Sequence, residues 1–183
     1  MRRIMLVDDE ENILNALRRV LSGRNPVEDG DAHYTVETFV SPQAALERAE
    51  ESAFDLVVSD YRMPEMSGIK FLKMLKQVQP DTTRIILSGY ADLAGLVSAI
   101  NEAEIFRFLS KPWDDFDLRL AVAQALKYRD ILLENQRLAD QVRMQQGLLS
   151  RQEVALKRLA VENPGLAKVN WGPDGSVIID DLL

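Results

Sequence analysis

Two adjacent acids, Asp8 and Asp9, a single Asp60, Ser88 and Lys111 each close a short apolar run, and together they make a set that can handle phosphate. Converging carboxylates repel one another, and a hard divalent cation such as Mg2+ relieves the repulsion while keeping waters for an incoming phosphate. A carboxylate can itself attack phosphorus to give an acyl phosphate, which makes Asp60 a candidate nucleophile. Lys111 would then neutralise phosphoryl oxygens as a point charge, and the Ser88 hydroxyl would donate a hydrogen bond to one of them. The chain has no cysteine, so disulfides, thiol catalysis and thiolate metal sites are excluded. Its one histidine, His33, falls in the polar stretch 24–33 with Pro26 and Gly30 and reads as a surface-loop residue.

The elements that must position these groups follow from the apolar pattern. Ile4-Met5-Leu6-Val7 and Leu56-Val57-Val58-Ser59-Asp60 are short apolar runs of the kind buried in a parallel sheet. Tyr34–Val40 alternates and reads as an edge or near-edge strand; 84–88 and 105–110 supply a fourth and a fifth strand. Helical spacing fills the intervals at about 12–21, 43–51, 68–78 and 93–102, with Ser41 as an N-cap and Pro42 as the first helical residue of the second. Strands alternating with helices imply an α/β fold with a doubly wound, five-stranded parallel sheet and right-handed crossovers. Ligands of such sheets lie beyond the carboxyl ends of the strands, where all the candidate residues fall.

The chain has 183 residues, of which 46% are hydrophobic and 28% charged, a composition that suits a cytoplasmic globular protein. Its longest apolar runs are far too short for a membrane span, and no signal peptide is visible. A net charge of −7 argues against broad nucleic-acid affinity, so no direct DNA binding is expected.

Residues 1–127 resemble the receiver domain of two-component response regulators, through Val7-Asp8-Asp9-Glu10, Asp60 with Met63-Pro64 and Gly68, Ser88-Gly89-Tyr90, and Phe108-Leu109-Ser110-Lys111-Pro112. The resemblance implies a flavodoxin-like receiver fold in which Asp60 is the phosphoacceptor for a phosphoryl group from a sensor histidine kinase. It implies that Asp9, Asp60 and the Arg62 backbone carbonyl bind Mg2+ directly, with Asp8 acting largely through water. Ser88 and Lys111 complete the family set, and Phe108 occupies the place of the aromatic switch. On activation Ser88 would move towards the phosphate and Phe108 would turn inward, a two-state equilibrium biased by the phosphoryl group. Arg62 and Tyr90 stand where bulk tunes hydrolysis of the acyl phosphate, and are expected to lengthen its lifetime. The stretch Phe106–Asp114 also looks like receivers that control HD-type cyclic-dinucleotide phosphodiesterases.

From Asp117 the helical pattern continues. With Tyr128 at a heptad a position, Tyr128, Ile131, Asn135, Leu138, Val142, Leu149, Leu156 and Leu159 form a seam, weakened in the middle by Gln145, Gly147 and Gln152. One continuous helix of roughly seventy ångströms is expected, ending at Asn163-Pro164-Gly165, and Asn135 suits a parallel homodimer. Residues 167–180, turning through Gly172-Pro173-Asp174-Gly175, read as a terminal β-hairpin. The chain therefore divides into a receiver at 1–127, a coiled-coil helix at 128–163 and a hairpin at 164–183.

The leading function is a non-enzymatic, phosphorylation-controlled signalling module acting by protein contacts on an unidentified downstream protein. Two other classes compete. A phosphorylation-independent dimerisation scaffold would have no need of the gathered charges. A phosphohydrolase resembling haloacid dehalogenases would carry a general acid two residues beyond its nucleophile, where this chain has Arg62.

Overall fold

The computed structural model describes residues 2–22, 34–89, 103–145, 151–162, 170–171 and 177–178. Five strands, β1 (Arg2–Val7), β2 (Tyr34–Phe39), β3 (Leu56–Asp60), β4 (Thr83–Ser88) and β5 (Arg107–Ser110), form one sheet in the order β2-β1-β3-β4-β5. All its pairings are parallel. This is the flavodoxin-like arrangement, with β2 at an edge as its alternating sequence requires.

Side chains of successive strand residues point to opposite faces, and the chain uses both. Ile4, Leu6, Leu56, Val58, Ile85 and Leu87 pack on one face with α1 (Glu11–Ser22) and α4 (Asp115–Gln145). Met5, Val7, Val57 and Ile86 pack on the other with α2 (Pro42–Glu51) and α3 (Gly68–Val78). Fully covered on both sides, β3 and β4 are buried throughout.

Helix starts are set by local chemistry. Ser67 Oγ accepts from Lys70 N at 3.3 Å, Ser41 Oγ from Ala44 N at 3.5 Å, and Asp114 Oδ1 from the N–H groups of Phe116 and Asp117. Each satisfies donors that the first helical turn leaves open. The fifth strand begins at Arg107 and not at Ile105, because the chain turns at Glu104, where φ is +48°. The helix expected at 93–102, Tyr90 and His33 lie outside the described residues.

The single helix expected to reach residue 163 is corrected by the structure. It is two helices, α4 and α5 (Arg151–Glu162), and Lys157 Nζ lies 3.4 Å from Asp140 Oδ1. On one straight helix that separation would be about 26 Å at 1.5 Å per residue, so α5 is turned back on α4. A glycine inside a helix costs about 1 kcal/mol, and the sequence between the two helices contains Gly147. The heptad seam is thus divided: Tyr128, Ile131, Asn135, Leu138 and Val142 lie exposed on α4, Leu149 is outside the described residues, and Leu156 and Leu159 belong to the returning α5.

β6 (Asn170–Trp171) pairs antiparallel with β7 (Val177–Ile178), as the arms of the expected hairpin should, and its turn Gly172-Pro173-Asp174-Gly175 lies outside the described residues. No helix among the described residues is long and apolar enough to cross a membrane.

Candidate functional site

The carboxyl ends of β1, β3, β4 and β5 bring Asp8, Asp60, Ser88 and Lys111 together at one edge of the sheet. Parallel pairing aligns the strand ends: Val7 lies opposite Ser59, Asp60 opposite Leu87, and Ser88 opposite Ser110. Lys111 N then donates to Ser88 O at 2.8 Å, which fixes the backbone from which the lysine side chain rises. The Lys111–Pro112 peptide is cis.

Lys111 Nζ sits between the two buried carboxylates, 2.7 Å from Asp8 Oδ2 and in direct contact with Asp60 Oδ1. Asp60 Oδ2 accepts from Arg62 N at 2.5 Å, and Asp8 Oδ1 accepts from Glu10 N at 3.0 Å. Asp8 is fully buried, and burial pushes its carboxyl above the ordinary aspartate range although Lys111 and the Glu10 N–H pull it down. The nearby Asp60 charge adds to the upward push. Burial works against the Lys111 ammonium, but Asp60 and Asp8 outweigh it and hold its pKa above the ordinary lysine value. Two carboxylates face one ammonium, so the site is short of positive charge even with Lys111 in place.

Gly68 decides how closely α3 approaches this edge. A Cβ there would lie 1.9 Å from the Asp60 carbonyl oxygen and 3.1 Å from Ser59 Oγ. Gly68 N donates to Tyr61 O at 2.9 Å, closing the loop 61–67 over the end of β3. Ser88 is buried and its Oγ donates to Gly89 O at 3.2 Å. Phe108 is half-buried and packs against the core of the α2–α3 face. Arg62 is exposed at the rim.

Asp9 differs from Asp8. It is exposed, and among the described residues no three acidic or histidine side chains stand close enough to form a ready cation cage. Two hard carboxylates short of positive charge nevertheless suit Mg2+, which is commonly held by one or two carboxylates together with waters and substrate phosphate.

Some residues that build the site or the scaffold behind it carried no assigned role in the sequence. Gly68 was visible only as part of a motif, because a close approach between α3 and β3 leaves no local signal beyond the glycine itself. Gln79 was invisible: its amide is buried, accepts from Phe54 N at 2.8 Å, and donates to Ala49 O at 2.6 Å and Ser52 O at 2.8 Å. It locks the α2–β3 connection to the end of α3.

The sequence matches the response regulator receiver domain family over residues 4–123, and the chain belongs to that family. It is 32% identical over 124 residues to the hydrogenase transcriptional regulatory protein HoxA of Cupriavidus necator, covering 68% of this chain and 24% of that protein. It is 33% identical over 125 residues to the DNA-binding transcriptional regulator NtrC of Escherichia coli, covering 68% and 25%. The chain thus spans about a quarter of the length of these curated relatives. Among solved structures, the signal receiver domain of an HD domain-containing protein from Pseudomonas fluorescens is 40% identical with a TM-score of 0.63, covering 70% of this chain and 97% of that one. The chain is accordingly related to two-component response regulators.

Proposed function

We propose that Asp60 is the phosphoacceptor of a two-component response regulator, charged by a sensor histidine kinase and read out through protein contacts of α4 and the receiver face. The observation that carries this is the Asp60 carboxylate itself. It ends a buried strand, is oriented by Lys111 and the Arg62 N–H, and faces the sheet's ligand edge beside a second buried acid.

In this reading Asp60 attacks the phosphorus of a phosphohistidine, forming an oxygen–phosphorus bond as the nitrogen–phosphorus bond breaks and the imidazole takes the electron pair. Lys111 neutralises a phosphoryl oxygen, Ser88 donates to another, and Phe108 follows Ser88 as the switch. Mg2+, when bound through Asp8, Asp9, Asp60 and the Arg62 carbonyl, supplies the positive charge that the buried acids lack. Residues 1–127 form the receiver, 128–163 the helical output and 164–183 a hairpin of unassigned role. Regulation of transcription belongs to the whole relatives, and this reading assigns the chain no DNA contact of its own.

The exposed stripe Tyr128, Ile131, Asn135, Leu138 and Val142 supports a parallel homodimer. Half-buried Leu133, Asp140 and Met144 share the opposite side of α4, where α5 contributes Lys157 to Asp140, so the returning helix leaves the stripe uncovered. Asn135 within that stripe is best satisfied by its own copy across a dyad. A cytoplasmic location goes with a histidine-kinase partner.

The test is intact-mass analysis after incubation with acetyl phosphate and Mg2+. One phosphoryl group is expected on the wild type and none on Asp60→Asn. Equal uptake by the two proteins would sink the assignment, and would reopen the phosphorylation-independent scaffold.

A further inference from the structure

The opposite, amino edge of the sheet carries a second polar cluster, and it has no part in phosphate chemistry. Arg129 lies on α4 past the last apolar core residue of that helix, Leu126, yet it is 7% exposed. Its Nη1 donates to Asp55 Oδ1 at 2.7 Å and its Nε to Asp81 O at 3.1 Å. Asp55 immediately precedes β3 and is held rigidly. Its second carboxylate oxygen accepts from Arg3 N at 2.7 Å, its own N–H donates to Arg3 O at 2.9 Å, and its carbonyl accepts from Thr83 N at 3.1 Å. One residue thus joins β1, β3 and β4 and receives the guanidinium of α4.

Two flanking contacts repeat the connection. Arg2 pairs with Asp130, and Gln136 Nε2 donates to Asp81 Oδ1 at 3.2 Å. Contacts at Arg129 and Asp130, and again about two turns later at Gln136, therefore tie α4 to the amino edge of the sheet beyond its last buried apolar residue, Leu126. A buried arginine makes a costly contact, and a helix that merely ran on into solvent would have no use for one.

We propose that Arg129 is a positioning residue for signal output: with Asp55 and Asp81 it fixes the direction in which α4 leaves the receiver, so the exposed stripe 128–142 moves as one body with the sheet. The role in output rests on the phosphoacceptor reading above, whereas the anchoring stands without it. The geometry of arginine matters, because its planar fork reaches a carboxylate and a carbonyl at once, whereas a lysine is a single point charge.

The chain has no cysteine, so Glu50→Cys on α2 and Gln141→Cys on α4, both exposed in the wild type, can carry a pair of spin labels, diluted in unlabelled protein so that only distances within one chain are read. Wild type should give one narrow distance distribution. Arg129→Met should broaden it at least twofold while keeping a cooperative melt, and Arg129→Lys should fall between the two. An unchanged distribution in folded Arg129→Met overturns the proposal. If Arg129→Met does not fold, Arg129→Lys is judged alone: broadening there supports the anchor and an unchanged width refutes it.

A second readout separates anchoring from output. Arg129→Met should accept phosphate from acetyl phosphate within twofold of the wild-type rate, yet lose the change in α4 that beryllofluoride with Mg2+ produces in the wild type. Retention of that change overturns the role in output. If α4 of the wild type itself does not change with beryllofluoride although Asp60 takes up phosphate, the role in output is overturned; if Asp60 takes up none, the phosphoacceptor reading fails and the widths alone judge the anchor.

Discussion

Asp8 carries a charge that burial disfavours. Its pKa is raised, so the folded state binds the proton more tightly than the unfolded chain does. The ionised carboxylate therefore costs stability at neutral pH, and the cost disappears as pH falls through the folded value towards the ordinary aspartate pKa near 3.8. Asp8→Asn should melt about 2–4 °C higher at pH 7, the shift that roughly 1 kcal/mol gives in a chain of this size. The gain should shrink near pH 4, and calorimetry across that range checks it. Lys111 has the opposite linkage: its raised pKa contributes stability throughout neutral pH, lost only at alkaline pH beyond the ordinary lysine value. At Gly68 the limit is steric. Gly68→Ala should cost about 1–3 kcal/mol in urea denaturation, as overpacking at a rigid backbone contact does, and should slow phosphorylation by displacing the Asp60 carbonyl.

Among the elements, α4 has two different lengths of surface. Leu118, Ala121, Val122, Ala125 and Leu126 are buried in the receiver core, whereas Ile131, Leu138 and Val142 are about half exposed. Exposed positions contribute little to the stability of one chain, so the double substitution Ile131→Glu, Leu138→Glu should leave the melting temperature within about 2 °C. It should abolish self-association in sedimentation velocity. A wild-type chain that is monomeric at high micromolar concentration, with and without beryllofluoride, would remove the dimer from the reading. The Asp140–Lys157 contact, with each side chain partly exposed, adds only a fraction of a kcal/mol.

The whole molecule has its two polar clusters at opposite ends of the same strands. β3 has Asp55 just before its first residue and Asp60 as its last, so the candidate phosphorylation site and the α4 anchor are separated by one buried strand. A phosphoryl mimic that binds the folded state alone stabilises it by about 2.7 kcal/mol at a hundred times its dissociation constant. Beryllofluoride with Mg2+ should therefore raise the melting temperature of wild type by several degrees and leave Asp60→Ala unchanged, as read by differential scanning calorimetry. A rise of equal size in Asp60→Ala would place the bound fluoride elsewhere.

The run 56–60 shows from its residues alone that an acid ends a buried strand, because hydrophobic periodicity and strand termination are local properties. Local signals also marked Ser41-Pro42 as the start of α2, and heptad spacing marked the uncovered stripe on α4. What the chain could not show locally are contacts between distant segments. Arg129 reads as one more charge on a helix until tertiary packing sets it against Asp55, and Gln79 reads as a polar surface residue until its amide is seen closing three segments. The heptad pattern likewise continues past Gly147 in the sequence, yet α5 lies back against α4. Periodicity specifies which side of a helix is apolar; only the folded chain determines whether two helices stay in line, since that depends on contacts such as Asp140 with Lys157 that no local window contains.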